Sequence, residues 1–330
     1  MTEKLTSLVS VTQVSKELAS SLLISANEMK SLVKLSGGCD LLKHRIMASI
    51  FFEPSTRTSS SFQAAMLRLG GQVICVTEND SSTKKGEVLE DTIATMSCYC
   101  DVIVLRHPVK GSATLATQHT TKPVINAGDG AGEHPTQALL DLYTILSELG
   151  RIGKTSLVNG SLELNDESPM TVTLVGDLKY GRTVHSLVKL LALFPGIRLV
   201  YVCPESLRMP EEIIDEVNSI SFKHYGTPIE QIVLSSIDLT SIIKDTDVLY
   251  ATRIQKERFP SEEEYNSVVG SYCIDSKLLS EAKSNMIVMH PLPRVNEIAR
   301  EVDSDPRAAY FRQMENGMYM RMAILKHMLL

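Results

Sequence analysis

Residues 45–71 read RIMASIFFEPSTRTSSSFQAAMLRLGG, and this stretch decides the fold. Its apolar opening, 45–52, reads as a buried strand. A turn containing Pro54 follows, then Ser55, Thr56, Arg57 and Thr58, then a helical pattern through 62–69 that Gly70 and Gly71 stop. The same order recurs further along the chain. Strands are expected at 72–77, 101–106 and 123–126, with helices at 88–100 and 135–149. The alternation restarts at 171–176 and runs through a helix at 183–194 and strands at 198–202, 248–252 and 286–289. Apolar strands alternating with helices predict an α/β architecture of parallel sheets covered on both faces. Ligands of such folds sit at the carboxyl ends of the strands, so the residues just past each strand are the candidates for chemistry.

The chain has 330 residues, which suits two domains of about 150 each. Helical period is lost across 151–170, amid Gly153, Asn159, Gly160, Asn165, Asp166 and Pro169. Domains are therefore expected at 1–150 and 151–307. The Met- and Leu-rich amphipathic helix at 308–330 is expected to pack back on the first of them. Lys and Arg total 33 against 39 Asp and Glu, a net charge of −6, which argues against a nucleic-acid partner but leaves room for small anions held by local cations. No uncharged apolar run reaches the roughly 18 residues of a membrane helix, so no membrane association is expected. Six cysteines without a CxxC pair argue against a disulfide framework or a Cys-rich zinc site, and Cys98 and Cys100 read as core packing. The first residues lack an apolar core of a signal peptide, and Glu3 and Glu17 oppose a transit peptide, so a cytoplasmic protein is expected.

The strand ends carry a consistent chemistry. Ser55, Thr56, Arg57 and Thr58 offer hydroxyls, a guanidinium and the N–H groups of a helix start, which suit phosphate; an ordinary N-cap is the plainer alternative. Arg106 ends the 101–106 strand and reaches the same sheet edge. His134, before Pro135 at a helix entry, suits a neutral imidazole donating to a carbonyl oxygen, or a capping or core residue. In the second half, Gly176-Asp-Leu-Lys-Tyr-Gly-Arg-Thr183 nearly matches a nucleotide-phosphate loop, but Arg182 replaces its Lys, and Arg suits a planar carboxylate. Arg253 follows the 248–252 strand. His290-Pro-Leu-Pro-Arg294 follows the last strand, with carbonyls that can receive an amine. The loop Asp80-Ser-Ser-Thr-Lys-Lys-Gly86, taken alone, is a solvated face. With no acidic cluster for Mg²⁺ and no zinc spacing, no metal or cofactor is expected. The set points to transfer from an acyl phosphate to an amine by orientation and electrostatics.

These motifs resemble those of the transcarbamoylase family, in family order from about residue 45 to the C-terminus. The second-half set, with Thr252-Arg-Ile-Gln255, resembles its aspartate branch. The resemblance implies two α/β domains with the active site in the cleft between them. It implies carbamoyl transfer from carbamoyl phosphate to the amine of L-aspartate, giving N-carbamoyl-L-aspartate and phosphate early in pyrimidine synthesis. Ser55, Thr56, Arg57, Thr58 and Arg106 would bind the phosphate. Thr58, Arg106 and His134 would polarise the carbamoyl oxygen, while Gln137 and the carbonyls of Pro291 and Leu292 would hold its nitrogen. Arg182, Arg253, Gln255 and Lys85 would hold aspartate, with Lys85 also catalytic. Ser81 and Lys85 would come from a neighbouring subunit of a homotrimer, which reverses the solvated-face reading of their loop. The attacking amine must be neutral, and the leaving phosphate is expected to take its proton, because no dedicated base stands among these residues.

The alternatives are specific. Ornithine carbamoyltransferase shares the first-half motifs but uses Cys where this chain has Pro291, and ornithine would want acids in place of Arg182 and Arg253. An NTPase would need a Lys and an Mg²⁺-binding acid at Gly176–Thr183, and a catalytically dead scaffold has no physical need to keep this polar set. No attached regulatory or synthetase domain is expected, residues 156–170 match no motif, and the motifs leave open a separate regulatory chain or other pyrimidine-pathway enzymes as partners.

Overall fold

A computed structural model describes residues 5–78, 86–152, 157–158, 161–162, 169–234, 238–254, 259 and 261–330. The chain forms two compact units. The first comprises Met1–Tyr143, Leu157–Leu162 and Met314–Leu330; the second comprises Thr144–Ser156 and Glu163–Gln313.

The first unit opens with α1 (Lys16–Ser36), which Ser15 caps by accepting the Leu18 N–H and which ends at Gly37 in the left-handed region. Four repeats of strand then helix follow: β1 (Ile46–Phe51), α2 (Thr56–Arg68), β2 (Gln72–Thr77), α3 (Leu89–Ser97), β3 (Val102–His107), α4 (Ser112–Thr117), β4 (Val124–Asp129) and α5 (Pro135–Glu148). The strands are parallel and ordered β2-β1-β3-β4. β1 is central, and five of its six residues are buried, as its apolar run requires. A short antiparallel pair, β5 (Leu157–Val158) with β6 (Ser161–Leu162), also belongs to this unit.

In the second unit β7 (Met170–Val175), α6 (Arg182–Leu191), β8 (Ile197–Val202), α7 (Glu211–Tyr225), β9 (Glu230–Leu234), β10 (Val248–Ala251), α8 (Glu262–Val268), α9 (Ser276–Ser280) and β11 (Ile287–Met289) build a parallel sheet ordered β11-β10-β7-β8-β9. α6 buries Val184, Leu187, Val188, Leu190 and Leu191, each large side chain adding about 2 kcal/mol by its removal from water. The final helix, α10 (Tyr310–Leu329), contributes its residues from Met314 onward to the first unit.

Strand order decides where ligands can go. In the first sheet the chain leaves β1 toward β2 on one side and leaves β3 toward β4 on the other. The two connections diverge and open a crevice at the carboxyl ends of β1 and β3. The second sheet repeats this between β7, which leads to β8, and β10, which leads to β11.

Three expectations need correction. Coverage on both faces fails at β2: it is an edge strand, and none of its residues is fully buried. The opposite edge is protected, because Leu8 donates to Val124 and accepts from Asn126, and all six residues of β4 are buried. β4 also runs past its expected end at 126, because its pairing with β3 resumes after a register shift, with His107 opposite Asp129. Finally, Cys100 is in the core but Cys98 is exposed, because it caps the solvent side of α3's last turn.

One glycine fixes how the second crevice closes. Gly176 ends β7 with φ +115°, and a Cβ there would lie 2.4 Å from the Thr252 carbonyl oxygen and 2.7 Å from the Tyr272 hydroxyl. Gly226 also has positive φ, but open space beside it. Gly176→Ala is therefore expected to cost more than about 2 kcal/mol, combining strain with a clash against backbone. Gly226→Ala is expected to cost only the left-handed penalty of about 1–2 kcal/mol. Urea unfolding of the two variants measures the difference.

Candidate active site

In the first crevice, strand register sets the neighbours. Phe51 pairs with Arg106, and Phe52 donates its N–H to the Arg106 carbonyl at 2.9 Å, so α2 starts beside the end of β3. Ser55 is the extended N-cap of α2, yet its side chain makes no capping bond. The N–H groups of the first turn are thus not consumed by a cap, as a phosphate site requires and an ordinary N-cap does not. Thr58 is buried, whereas Thr56 and Arg57 are exposed.

Arg106 is 9% exposed. Its Nη1 donates to the Ala127 carbonyl at 3.2 Å, and its Nη2 lies 3.2 Å from Glu53 Oε1. Burial lowers the affinity of this guanidinium for its proton, Glu53 opposes that, and the charge of Arg57 lowers it further. The charge of Arg57 thus reaches Arg106, and a bound anion would offset it.

The loop from β4 to α5 is organised by Asp129. Its carboxylate accepts the Gly111 N–H at 2.8 Å and the Glu133 N–H at 2.7 Å. This sets His134 directly before Pro135, the first residue of α5. His134 is buried, with the Thr136 hydroxyl 3.4 Å from its Nδ1. One turn on, Gln137 is also buried and donates its Nε2–H to Asp141 at 2.9 Å.

In the second crevice, Val175 of β7 pairs with Ala251 of β10, which brings the loops bearing Arg182 and Arg253 to adjacent strand ends. Arg182 is the first residue of α6, and Arg253 follows the buried Thr252. Thr252 is fastened to the neighbouring loop: its hydroxyl donates to Val175 at 3.1 Å, and its carbonyl accepts from Tyr272. The phosphate-loop alternative meets a geometric objection here. The Leu178 N–H is bonded to the Leu207 carbonyl, and the Tyr180 N–H to Asp177, so these amides are spent within the protein rather than left to cradle a phosphate.

Beyond β11, Pro291 and Leu292 sit on a loop built by His290 of the same motif and by Glu297, which the sequence reading missed. Leu292 has φ +54° and donates its N–H to His290 Nδ1 at 2.8 Å. The imidazole proton is then on Nε2, which donates to the buried Glu297 at 2.7 Å. Arg294, at the end of the motif, is used for structure: it grips Asp303 with two nitrogens and lies over the Tyr310 ring.

The structure thus brings Ser55, Thr56, Arg57, Thr58, Arg106, His134 and Gln137 into one unit, the first six around one crevice and its flanking loop. It sets Arg182 and Arg253 at the other crevice, with Pro291 and Leu292 after the neighbouring strand. Ser81, Lys85 and Gln255 lie outside the described residues. Glu53, Asp129, Asp141 and Glu297 were missed. Only Asp141 had a readable signal, its four-residue spacing from Gln137 on a helix.

A helix start and paired guanidiniums at one switch point, with two more guanidiniums at a second, define an α/β protein suited to small anions. The chain belongs to the aspartate/ornithine carbamoyltransferase family: residues 6–147 match its carbamoyl-P binding domain and residues 168–328 its Asp/Orn binding domain. It is 46% identical over 325 residues to the aspartate carbamoyltransferase catalytic subunit of Thermoplasma acidophilum, covering 98% of each chain. It is 54% identical over 316 residues to the multifunctional protein pyr1-3 of Dictyostelium discoideum, but spans only 13% of that protein's length. Among solved structures, it is similar to aspartate transcarbamoylase from Trypanosoma cruzi in complex with N-(phosphonacetyl)-L-aspartic acid. The TM-score is 0.87 at 43% identity, covering 98% of this chain and 96% of that one.

The carboxylates near the Pro291 loop predict acid sensitivity. Burial alone would raise the Glu297 carboxyl, but the bonds from His290 and backbone N–H groups outweigh it and hold it below the usual range. Asp303 is held low by Arg294, and Asp305 by Arg307. A depressed pKa contributes stability above the unfolded value, lost as pH falls through the folded one. Urea unfolding followed from pH 7 downward is expected to show stability falling below about pH 4.5, the ordinary carboxylate range. Asp303→Asn is expected to be less stable at pH 7 and to show a shallower decline.

Proposed function

We propose that this chain catalyses carbamoyl transfer from carbamoyl phosphate to the amine of L-aspartate, yielding N-carbamoyl-L-aspartate and phosphate, an early step of pyrimidine synthesis. The observation that carries this reading is the uncapped start of α2, which bears Arg57, next to the β3 end that bears Arg106 at the first switch point. The relatives named as aspartate carbamoyltransferases support it. In this reading the first unit takes carbamoyl phosphate and the second takes aspartate. The two crevices must come to face one another for the reaction to occur.

Ser55, Thr56, Arg57, Thr58 and Arg106 take the phosphate. Thr58, Arg106 and His134 donate to the carbamoyl oxygen. With its Nδ1 turned to the Thr136 hydroxyl, a neutral His134 donates through Nε2. Gln137 and the carbonyls of Pro291 and Leu292 receive the carbamoyl NH₂. Arg182, Arg253 and Gln255 clamp the two carboxylates of aspartate, with Lys85 beside them. The neutral amine attacks the carbamoyl carbon, and negative charge builds on the oxygen facing Thr58, Arg106 and His134. The carbon–oxygen bond to phosphate then breaks, and the leaving phosphate takes the amine proton.

The reading includes a homotrimer in which Ser81 and Lys85 complete a neighbour's site. The exposed edge strand β2, with Ile74 36% exposed, supports it, because the segment bearing both residues follows that strand in the chain. A cytoplasmic location belongs to the same reading. So does association with other pyrimidine-pathway enzymes, which the multifunctional relatives suggest.

Assays of phosphate release from carbamoyl phosphate, with aspartate or ornithine as acceptor, test the proposal. Aspartate is expected to be strongly preferred, and a preference for ornithine overturns the reading. Arg57→Ala is expected to lower kcat/KM more than about a hundredfold. Arg182→Met is expected to raise the KM for aspartate at least about tenfold with carbamoyl phosphate binding unchanged.

A further inference from the structure

The first unit contains two buried charged side chains, Asp141 and Arg321, that none of the proposed roles uses. Asp141 is fully buried on α5, one turn past Gln137, and accepts the Gln137 Nε2–H at 2.9 Å. Arg321, from α10, is 4% exposed, and its guanidinium lies 4.9 Å from the Phe62 ring centre on α2. Burial pushes the Arg321 guanidinium down to about 10, and the charge of Asp141 acts against that. Arg321 Nη1 donates to Ser61 Oγ at 2.6 Å, and that hydroxyl donates to the Thr58 carbonyl at 3.1 Å. Gly317 makes the approach possible, since a Cβ there would sit 3.0 Å from Arg321 Nη1 and 3.1 Å from Leu140.

The chemistry of Gln137 makes this pair consequential. A primary amide has one donor end and one acceptor end, and either can be turned toward a ligand. A carboxylate oxygen without a proton only accepts, and Asp141 Oδ1 takes a hydrogen of the amide nitrogen, which leaves Oε1 as the end available to a ligand. An oxygen acceptor there receives an NH₂ group and gains nothing from a methyl group of the same shape.

We infer that Asp141 is a positioning residue that fixes the orientation of the Gln137 amide and thereby sets selectivity for a carbamoyl over an acetyl group, while Arg321 braces the first turn of α2. This rests on the reading that Gln137 faces the transferred group. Arg321, through Ser61, holds the first turn of α2.

Two isosteric ligands separate this from a purely structural role. Phosphonoacetamide carries the NH₂, and 2-oxopropylphosphonate carries a methyl in its place. Equilibrium binding to the full chain is expected to favour the amide. Asp141→Leu is expected to shrink that preference about tenfold, the worth of one hydrogen bond, while inorganic phosphate binds as before. Asp141→Asn offers a donor as well as an acceptor and is expected to lose part of the preference. Should Asp141→Leu fail to fold, Asp141→Leu with Arg321→Met removes both charges together and is expected to show the same loss. Equal weakening of both ligands, or an unchanged preference in both variants, overturns the inference. Gln137→Ala distinguishes the two levels. If it abolishes the preference while the Asp141 variants keep it, only the positioning role fails. If it leaves the preference intact, the assignment of Gln137 to the carbamoyl group fails, and the inference with it.

Discussion

The parallel pairing of β1 with β3 is the constraint on which the first unit depends. Parallel strands run their carboxyl ends to one edge, and the ladder from Met47–Val102 to Phe51–Arg106 fixes which residues meet there. Shifted by one residue, Arg106 would point to the other face of the sheet and away from α2. Because the chain then departs in opposite directions from the two strands, the space beyond them stays open. The pairing of β7 with β10 does the same for Arg182 and Arg253.

Such crevices are costly to furnish with cations. Arg106 is nearly buried, beside the charge of Arg57, and the protein offsets this with Glu53 and the Ala127 carbonyl. A pair held this way is poised for an anion: the positions are fixed before binding, and the residual repulsion is relieved by it. The hydroxyl of Ser55, which spends nothing on its own helix, serves the same end.

The loops that carry the remaining groups are held by buried polar contacts rather than by apolar packing. Asp129 fastens the approach to His134, and the His290–Glu297 pair fastens Leu292. Gly176 lets two strand-end loops of the second unit touch, backbone to backbone. Buried polar groups of this kind hold one geometry only while every partner is present, which suits residues that must hold donors and acceptors in place.

Much of this was legible without coordinates. The strands β1, β3, β7 and β8 read within a residue or two of their bounds, because buried parallel strands are largely apolar runs; the exposed edge strand β2 read from its Val73–Val76 run alone. The cations and hydroxyls at their ends were visible for the same reason. α7 and β9 escaped notice, since α7 buries only Val217 and Ser221 and the edge strand β9 is only partly covered, which leaves weak periodicity. The helical spacing of Leu18, Leu22, Ala26 and Met29 was readable but passed over. Sequence by itself determined the element types, the order of the motifs and the chemistry at each strand end, because those follow from local pattern. Only tertiary structure decided that Arg106 faces Glu53, that Cys98 is exposed, and that Arg321 bonds Ser61, 260 positions away. Strand order and the pairing of distant charges are settled by packing between segments, which no local pattern encodes.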